Sequence, residues 1–322
     1  MTAFSDKKSW LIAIKKVMQK RYSENKGVFL AVVCSNKPIA GTFYRLGLEL
    51  SAEGADAFAK TQPGQFAELD LRNAAVPPIN SIPQELADAS RRDILLRRPF
   101  SFCDVTTRNN KILVDILYCV LGPATLRMTT LSAGDSVSVI GPLGNGFRVP
   151  KNKRTALLAA GGMGTPPLLH LAKILTTDYA DVKVIAFAGA KTKEKLLFET
   201  ELAEPVASKI EKYTATDDGS EGIKGLVTDL LEQWFSGDKT LSAEDMVIYS
   251  CGPEVMLAKV AQIAQENKVD CQLSMERRMA CGIGVCQSCA VECKVEDSDE
   301  TVYKLCCKDG PVFDSKEVVF SS

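Results

Sequence analysis

The chain has 322 residues, a length suited to two or three domains, and its 39 basic and 40 acidic side chains leave a net charge of −1, with no excess to favour nucleic acid. No apolar run is long enough to cross a bilayer, and with His170 as the only His there is little from which to build a Ser-His-Asp or Cys-His nucleophile. Eleven cysteines without a signal-peptide pattern predict a reducing, cytoplasmic setting where thiols serve metals rather than disulfides.

Residues 6–22 read as a short amphipathic helix with Trp10, Ile14, Val17 and Met18 on one side. A narrow stripe of this kind binds membranes weakly, so the expectation is a helix packed on its own domain or on a partner. From Gly27 to about Val149, short runs rich in Val, Phe, Tyr and Leu alternate with turn residues and predict a small antiparallel β-barrel, interrupted between Asn73 and Asp93 by a Pro-bearing loop. Within it, Arg97-Arg98-Pro99-Phe100-Ser101 sets a guanidinium, a rigid Pro and a hydroxyl at a strand start, a combination suited to a phosphate and a ring edge. Gly122-Pro123-Ala124-Thr125 opens a short helix where backbone amides can face a pyrophosphate.

From Thr155 the pattern changes to strands alternating with helices. Ala156–Ala160 is a buried strand, Gly161-Gly162-Met163-Gly164-Thr165-Pro166 is a glycine turn, and a helix follows through Leu175. The turn departs from G-x-G-x-x-G, and such glycines serve helix–strand packing as readily as nucleotide binding. Strands at Val182–Ala188 and Met246–Ser250, with helices at 194–203, 225–234 and 254–265, predict a doubly wound parallel sheet. The later strand ends in Cys251-Gly252-Pro253 at the carboxyl edge, where such sheets bind ligands. His170 lies on an apolar helix face and reads as a packing residue.

Near the C-terminus, Cys281, Cys286 and Cys289 follow a C-x4-C-x2-C spacing, with Cys306 and Cys307 further on. This is the spacing of a plant-ferredoxin-type [2Fe-2S] cluster, whose thiolates converge from one side while Gly282 and Gly284 let the backbone curl around it. Zinc is the bland alternative, but its sites usually pair two C-x2-C units or include His. In Ala290–Val295, alternation puts Cys293 on the apolar face of Val291 and Val295, a core position. The alternation of Tyr303–Cys307 sets Cys306 and Cys307 on opposite sides, and spacing does not choose between them as the fourth ligand.

These motifs, in this order, resemble the ferredoxin-NADP reductase superfamily and, within it, the electron-transfer subunits of type B dihydroorotate dehydrogenases. The resemblance runs from about Gly27 to Phe320 and rests on Leu96–Ser101, Gly141–Phe147, Gly161–Pro166, Thr216–Ser220, Cys251–Pro253, Ser274–Cys286 and Cys307–Phe313. It implies an FAD-binding barrel at 27–150, an NAD-binding α/β domain at 151–270 and a small α+β [2Fe-2S] domain at 271–322, preceded by the helical extension at 1–26 read from the amphipathic pattern. Arg98, Pro99, Phe100 and Ser101, then Leu117, Tyr118 and Cys119, then Ala124 and Thr125, match the family's FAD positions, with Ala124 where the family has Gly. Gly161, Gly162, Gly164, Thr165, Cys251, Gly252 and Pro253 match its nicotinamide side. The family's fourth cluster ligand precedes x-Asp-Gly-Pro, which selects Cys307 beside Cys281, Cys286 and Cys289. Arg277 stands where an acidic residue is common, and the 73–93 segment and the N-terminal helix are further departures.

The implied activity is oxidation of dihydroorotate at the FMN of a TIM-barrel partner subunit, in a heterotetramer of two chains of each kind, in pyrimidine biosynthesis. Electrons pass singly through the [2Fe-2S] cluster to FAD and leave as a hydride on NAD+. The alternative is an NAD(P)H-dependent ferredoxin or sulfur reductase subunit, and a zinc-stabilised nucleotide sensor is the rival outside redox chemistry. No residue is expected to act as an acid or base. Asp217 and Asp218 after one strand, set against Lys191, Thr192 and Lys193 after another, predict NAD rather than NADP, because carboxylates repel a 2′-phosphate.

Overall fold

The computed structural model describes residues 27–320 except 110, 203, 238–240 and 297; the expected helix at 6–22 lies outside the described residues. Seven antiparallel strands form the first sheet: β1 (Gly27–Ala40), β2 (Phe43–Leu50), β3 (Phe66–Leu69), β4 (Arg98–Ser101), β5 (Asp104–Arg108), β6 (Lys111–Cys119) and β7 (Ser136–Leu143). Their order, β4-β3-β7-β1-β2-β6-β5, leaves β4 and β5 unjoined, so the sheet is a half-barrel rather than a closed barrel. Alternation in β1 turns Ala31 and Val33 into a core shared with Leu46, Leu48, Ile116 and Phe58. Helix α1 (Ala52–Phe58) supplies Phe58 to that core.

The segment expected as a loop at 73–93 is instead wound into two 3-10 turns and the one-turn helix α2 (Ala87–Ser90). It is tied to the half-barrel through Leu86 in the core, with Ile94 just after it, and through hydrogen bonds from Arg127 to Arg92 O and from Thr130 to Ala75 O. Pro77, Pro78 and Pro83 explain why no longer helix forms there. The half-barrel's other short helix is α3 (Pro123–Met128).

The second sheet is parallel through β8 (Thr155–Gly161), β9 (Lys183–Ala190), β10 (Ile210–Thr216), β11 (Ile223–Lys224), β12 (Met246–Cys251) and β13 (Asp270–Ser274). The strand order is β11-β10-β9-β8-β12-β13, followed at the edge by β16 (Val312–Asp314), which runs antiparallel to β13. Every residue of β8 is buried, as a strand covered on both faces requires. The covering helices are α4 (Thr165–Asp178), α5 (Leu197–Glu201), α6 (Glu204–Ala207), α7 (Val227–Ser236) and α8 (Glu254–Glu266). The single helix predicted over 194–203 is shorter and is followed by α6, whose Pro205 sits in the first turn, where its missing N–H costs nothing. Between β13 and β16 the chain forms the cluster loop and the hairpin β14 (Ala290–Lys294) and β15 (Thr301–Leu305). Cys293 and Val291 are core as expected, but β14 ends at Lys294 and Val295 is exposed. Among the described residues, no helix is long and apolar enough to cross a membrane.

Half-barrel and parallel sheet are held together by ion pairs, Lys173 of α4 with Asp104 at 2.7 Å and Arg45 of β2 with Glu201 of α5 at 3.0 Å. His170 is buried beside the first of these, on α4, with Nδ1 unpartnered among the described residues. Burial pushes its pKa down to about 4, against the opposing pull of Asp104, with Lys173 adding to the depression. The imidazole must then discard a proton on folding below its ordinary pKa, so stability falls as pH drops from 6.5 toward 4. At pH 5 this should cost about 2 kcal/mol. His170→Gln should flatten that part of the profile, read as the difference in urea midpoints between pH 7 and pH 5.

Candidate functional site

The carboxyl edge of the parallel sheet is built by two glycine motifs packed against each other. A Cβ on Gly164 would overlap the carbonyl oxygen of Cys251, and one on Gly161 would overlap the Met256 sulfur of α8. Packing therefore demands glycine at 164, where the obstacle is backbone, whereas at 161 the flexible Met256 side chain could give way. Gly162, with φ +51° and open space where a Cβ would stand, is the one that presents backbone to solvent. Thr165 is buried at the start of α4. Cys251 carries a thiol that burial pushes up to about 12, so it stays a neutral thiol at the cavity wall.

Three adjoining cavities, of about 270, 210 and 610 Å³, meet at Pro99. The first gathers Pro99, Phe100, Ser101, Leu117, Tyr118, Cys119 and Thr125 from the half-barrel with Gly164 and Cys251 from the sheet and Met275, Met279 and Pro311 from the C-terminal segment. The second holds Arg98, Gly122, Ala124 and Thr125. The third adds Gly252 and reaches Met279. Another cavity, about 430 Å³ at the amino edge of the sheet, holds none of the predicted site residues.

Local structure assigns these side chains different parts. Strand alternation turns the Tyr118 ring into the half-barrel, where it stacks on Tyr44 and donates to Asn36 Oδ1, while Leu117 joins the interface with the sheet. The Thr125 hydroxyl accepts from the N–H groups of Leu121 and Gly122, which brace the turn into α3. Arg98 Nη1 donates to the carbonyls of Leu96 and Arg97 and thereby holds its guanidinium at the cavity mouth. Arg277 is gripped in bidentate fashion by Glu254 at 2.8 and 2.9 Å, a pair that anchors the third cavity's wall to α8.

Four thiols group in two pairs at the loop between β13 and β14. Cys281 Sγ accepts from the N–H groups of Val285 and Cys286, each at 3.4 Å. Cys289 Sγ lies 3.2 Å from Cys307 Sγ, which also accepts from Gly284 N–H at 3.1 Å. Among the described residues no three His, Cys, Asp or Glu side chains are placed around a single ion. Two pairs with backbone amides aimed at sulfur suit a two-iron cluster, because those amides stabilise thiolate charge. Hydrogen bonds from Ser288 and the loop hold the Cys286 pKa down at about 6. Cys306 lies outside the group: β15 stops at Leu305, both following cysteines are buried in a turn, and the Cys306 thiol donates to Met275 O at 3.3 Å.

Strand alternation does not foresee Glu68. It sits in β3, where all four residues are buried, with neither carboxylate oxygen partnered among the described residues. A Glu within the apolar run Phe66–Leu69 was the available signal.

Residues 276–319 match the iron-sulfur cluster binding domain of dihydroorotate dehydrogenase B, and residues 158–262 match the oxidoreductase NAD-binding domain. Over 290 residues the chain is 39% identical to the dihydroorotate dehydrogenase B (NAD(+)) electron transfer subunits of Geobacillus kaustophilus and of Bacillus caldolyticus, covering 89% of this chain and 96% of each relative. Among solved structures, a chain from work on flavin-based electron bifurcation by an NADH-dependent reduced ferredoxin-NADP oxidoreductase aligns with TM-score 0.69 and 26% identity, over 90% of this chain and 89% of that one. The ferredoxin NADP+ reductase of Neisseria gonorrhoeae with bound FAD and NADP shares the fold at TM-score 0.55 and 14% identity, over 74% of this chain and 91% of its own. The chain belongs to the family of dihydroorotate dehydrogenase B electron transfer subunits.

Proposed function

We propose that this chain takes electrons released by dihydroorotate oxidation at the FMN of a partner catalytic subunit and delivers them to NAD+, as part of a cytoplasmic heterotetramer with two chains of each kind. The observation that carries this reading is the meeting of three residue sets around Pro99: half-barrel, carboxyl edge and the segment leading into the cluster loop line adjoining cavities that share this residue. When bound there, FAD supplies the conversion between single electrons and a hydride. The chain's own residues bind and orient. Phe100, Ser101, Leu117 and Cys119 frame the ring site, Arg98 with the Ala124–Thr125 turn faces the pyrophosphate, and Gly162 and Cys251–Pro253 border the nicotinamide site. Cys281, Cys286, Cys289 and Cys307 hold the cluster. Co-expression with a dihydroorotate-oxidising subunit tests the whole reading: dihydroorotate-dependent NADH formation by the purified complex supports it. A chain that binds no such subunit yet reduces ferredoxin with NADH would favour the reductase reading, which the 26% identical bifurcating relative keeps in play.

Two outcomes follow for the individual sites. Arg98→Ala should weaken FAD retention by about 1.5–3 kcal/mol, the range for a charge-assisted hydrogen bond; FAD remaining after dialysis measures it. At the carboxyl edge, Lys193 is engaged by Glu221 at 2.7 Å, and Asp218 is held by Ser220 below the usual carboxylate range. This leaves carboxylate charge where a 2′-phosphate would sit, so steady-state diaphorase assays should give a higher kcat/KM with NADH than with NADPH.

A further inference from the structure

Glu68 has a place that neither flavin nor nicotinamide binding accounts for. Its side chain is fully buried on the face of β3 turned toward the cluster segment, beside Phe66 and Ile140. A Cβ on Gly282, the residue after Cys281, would lie 2.5 Å from Glu68 Oε1, and Gly282 has φ +65°. The cluster loop thus rests its backbone directly on this carboxyl group, and only glycine permits both the conformation and the approach. The charged groups acting on Glu68 come from two sides: Arg98 and Arg97 from β4 and its entry, and Cys286 from the loop. The carboxyl is therefore within electrostatic reach of both the guanidinium assigned to the flavin pyrophosphate and a thiol assigned to the cluster.

We infer that Glu68 is a tuning residue of the [2Fe-2S] centre, a buried carboxyl whose charge lowers the cluster's reduction potential from the flavin-facing side. The inference rests on the cluster assignment made above. An added electron raises the negative charge of the site, and a carboxylate held in a dry interface opposes it with little solvent screening. Burial also pushes the Glu68 carboxyl up to about 7, with Arg98 and Arg97 pulling it down and Cys286 pushing it further up. The titration is therefore made in alkaline solution, which favours the charged carboxylate.

The test is potentiometric titration of the cluster-loaded chain at pH 9, followed by the paramagnetic resonance signal of the reduced cluster, in wild type, Glu68→Gln and Glu68→Asp. Glu68→Gln should raise the potential by about tenfold in the one-electron equilibrium, which is about 59 mV, while Glu68→Asp, which keeps the charge, should move it much less. Iron and sulfide content should stay at two of each. A potential unmoved in Glu68→Gln would overturn the inference, and equal loss of the cluster in both variants would assign Glu68 a packing role and overturn it as well. A wild-type chain with no two-iron signal would instead refute the cluster assignment, so the two failures are distinct.

Discussion

Replacing Cys307 with Ser should abolish or strongly perturb the [2Fe-2S] cluster, while Cys306→Ser and Cys293→Ser leave it in place. The basis is directional. Cys307 Sγ faces Cys289 Sγ and receives the Gly284 amide, whereas the Cys306 thiol is committed to Met275 O and Cys293 is wholly buried within β14 of the hairpin. Structural metal contributes folding free energy to the loop that holds it, so Cys307→Ser should also lower the melting temperature. Visible absorption with iron and sulfide analysis decides the matter. Bleaching by Cys306→Ser alone would reverse the assignment.

Gly164→Ala should cripple the nicotinamide side of the molecule. The added methyl would overlap the Cys251 carbonyl oxygen, which is backbone and cannot swing aside, so the two glycine motifs must part. Overpacking of this kind costs about 3 kcal/mol, and the separation would widen the carboxyl edge where the cofactor binds. Thermal unfolding should shift downward and NADH affinity should fall while FAD, held by the half-barrel, is retained. Gly162→Ala is the control for thermal unfolding alone, since it borders the cofactor site: it has room and bears only the strain of positive φ, about 1–2 kcal/mol. Equal shifts in melting temperature from the two changes would mean that the overlap at Gly164 is not what matters.

Much of this architecture was legible in the sequence because it is written in local signals. Period-two runs marked the strands, β8 showed as an unbroken apolar stretch, and the C-x4-C-x2-C spacing located the cluster loop. The rest depends on what comes together only in three dimensions. Cys306 and Cys307 are neighbours of equal burial, and alternation misleads there because the strand has already ended at Leu305. Tyr118 is expected on the flavin side, and it lines the cavity there while its ring stacks on Tyr44, a pairing that sequence order does not announce. Arg277 finds its counter-charge in Glu254, on the helix after Cys251-Gly252-Pro253, a partner 23 residues away in the chain. Glu68 shows as one carboxylate in a buried strand, and nothing in sequence order connects it with Gly282.

The C-terminal segment is fastened at several points. β16 pairs with β13 through Gln272, Leu273 and Ser274, Met275 N–H donates to Pro311 O, and Asn145 of the half-barrel donates its backbone amide to Gly310 O at 2.6 Å and its side-chain amide to Asp309 O at 2.9 Å. An electron carrier so fastened is no swinging arm. It is a soldered joint, in which the gap between donor and acceptor is a constant of the fold, and current through the molecule is set by that fixed gap and the driving force across it rather than by how often a tethered shuttle happens to arrive.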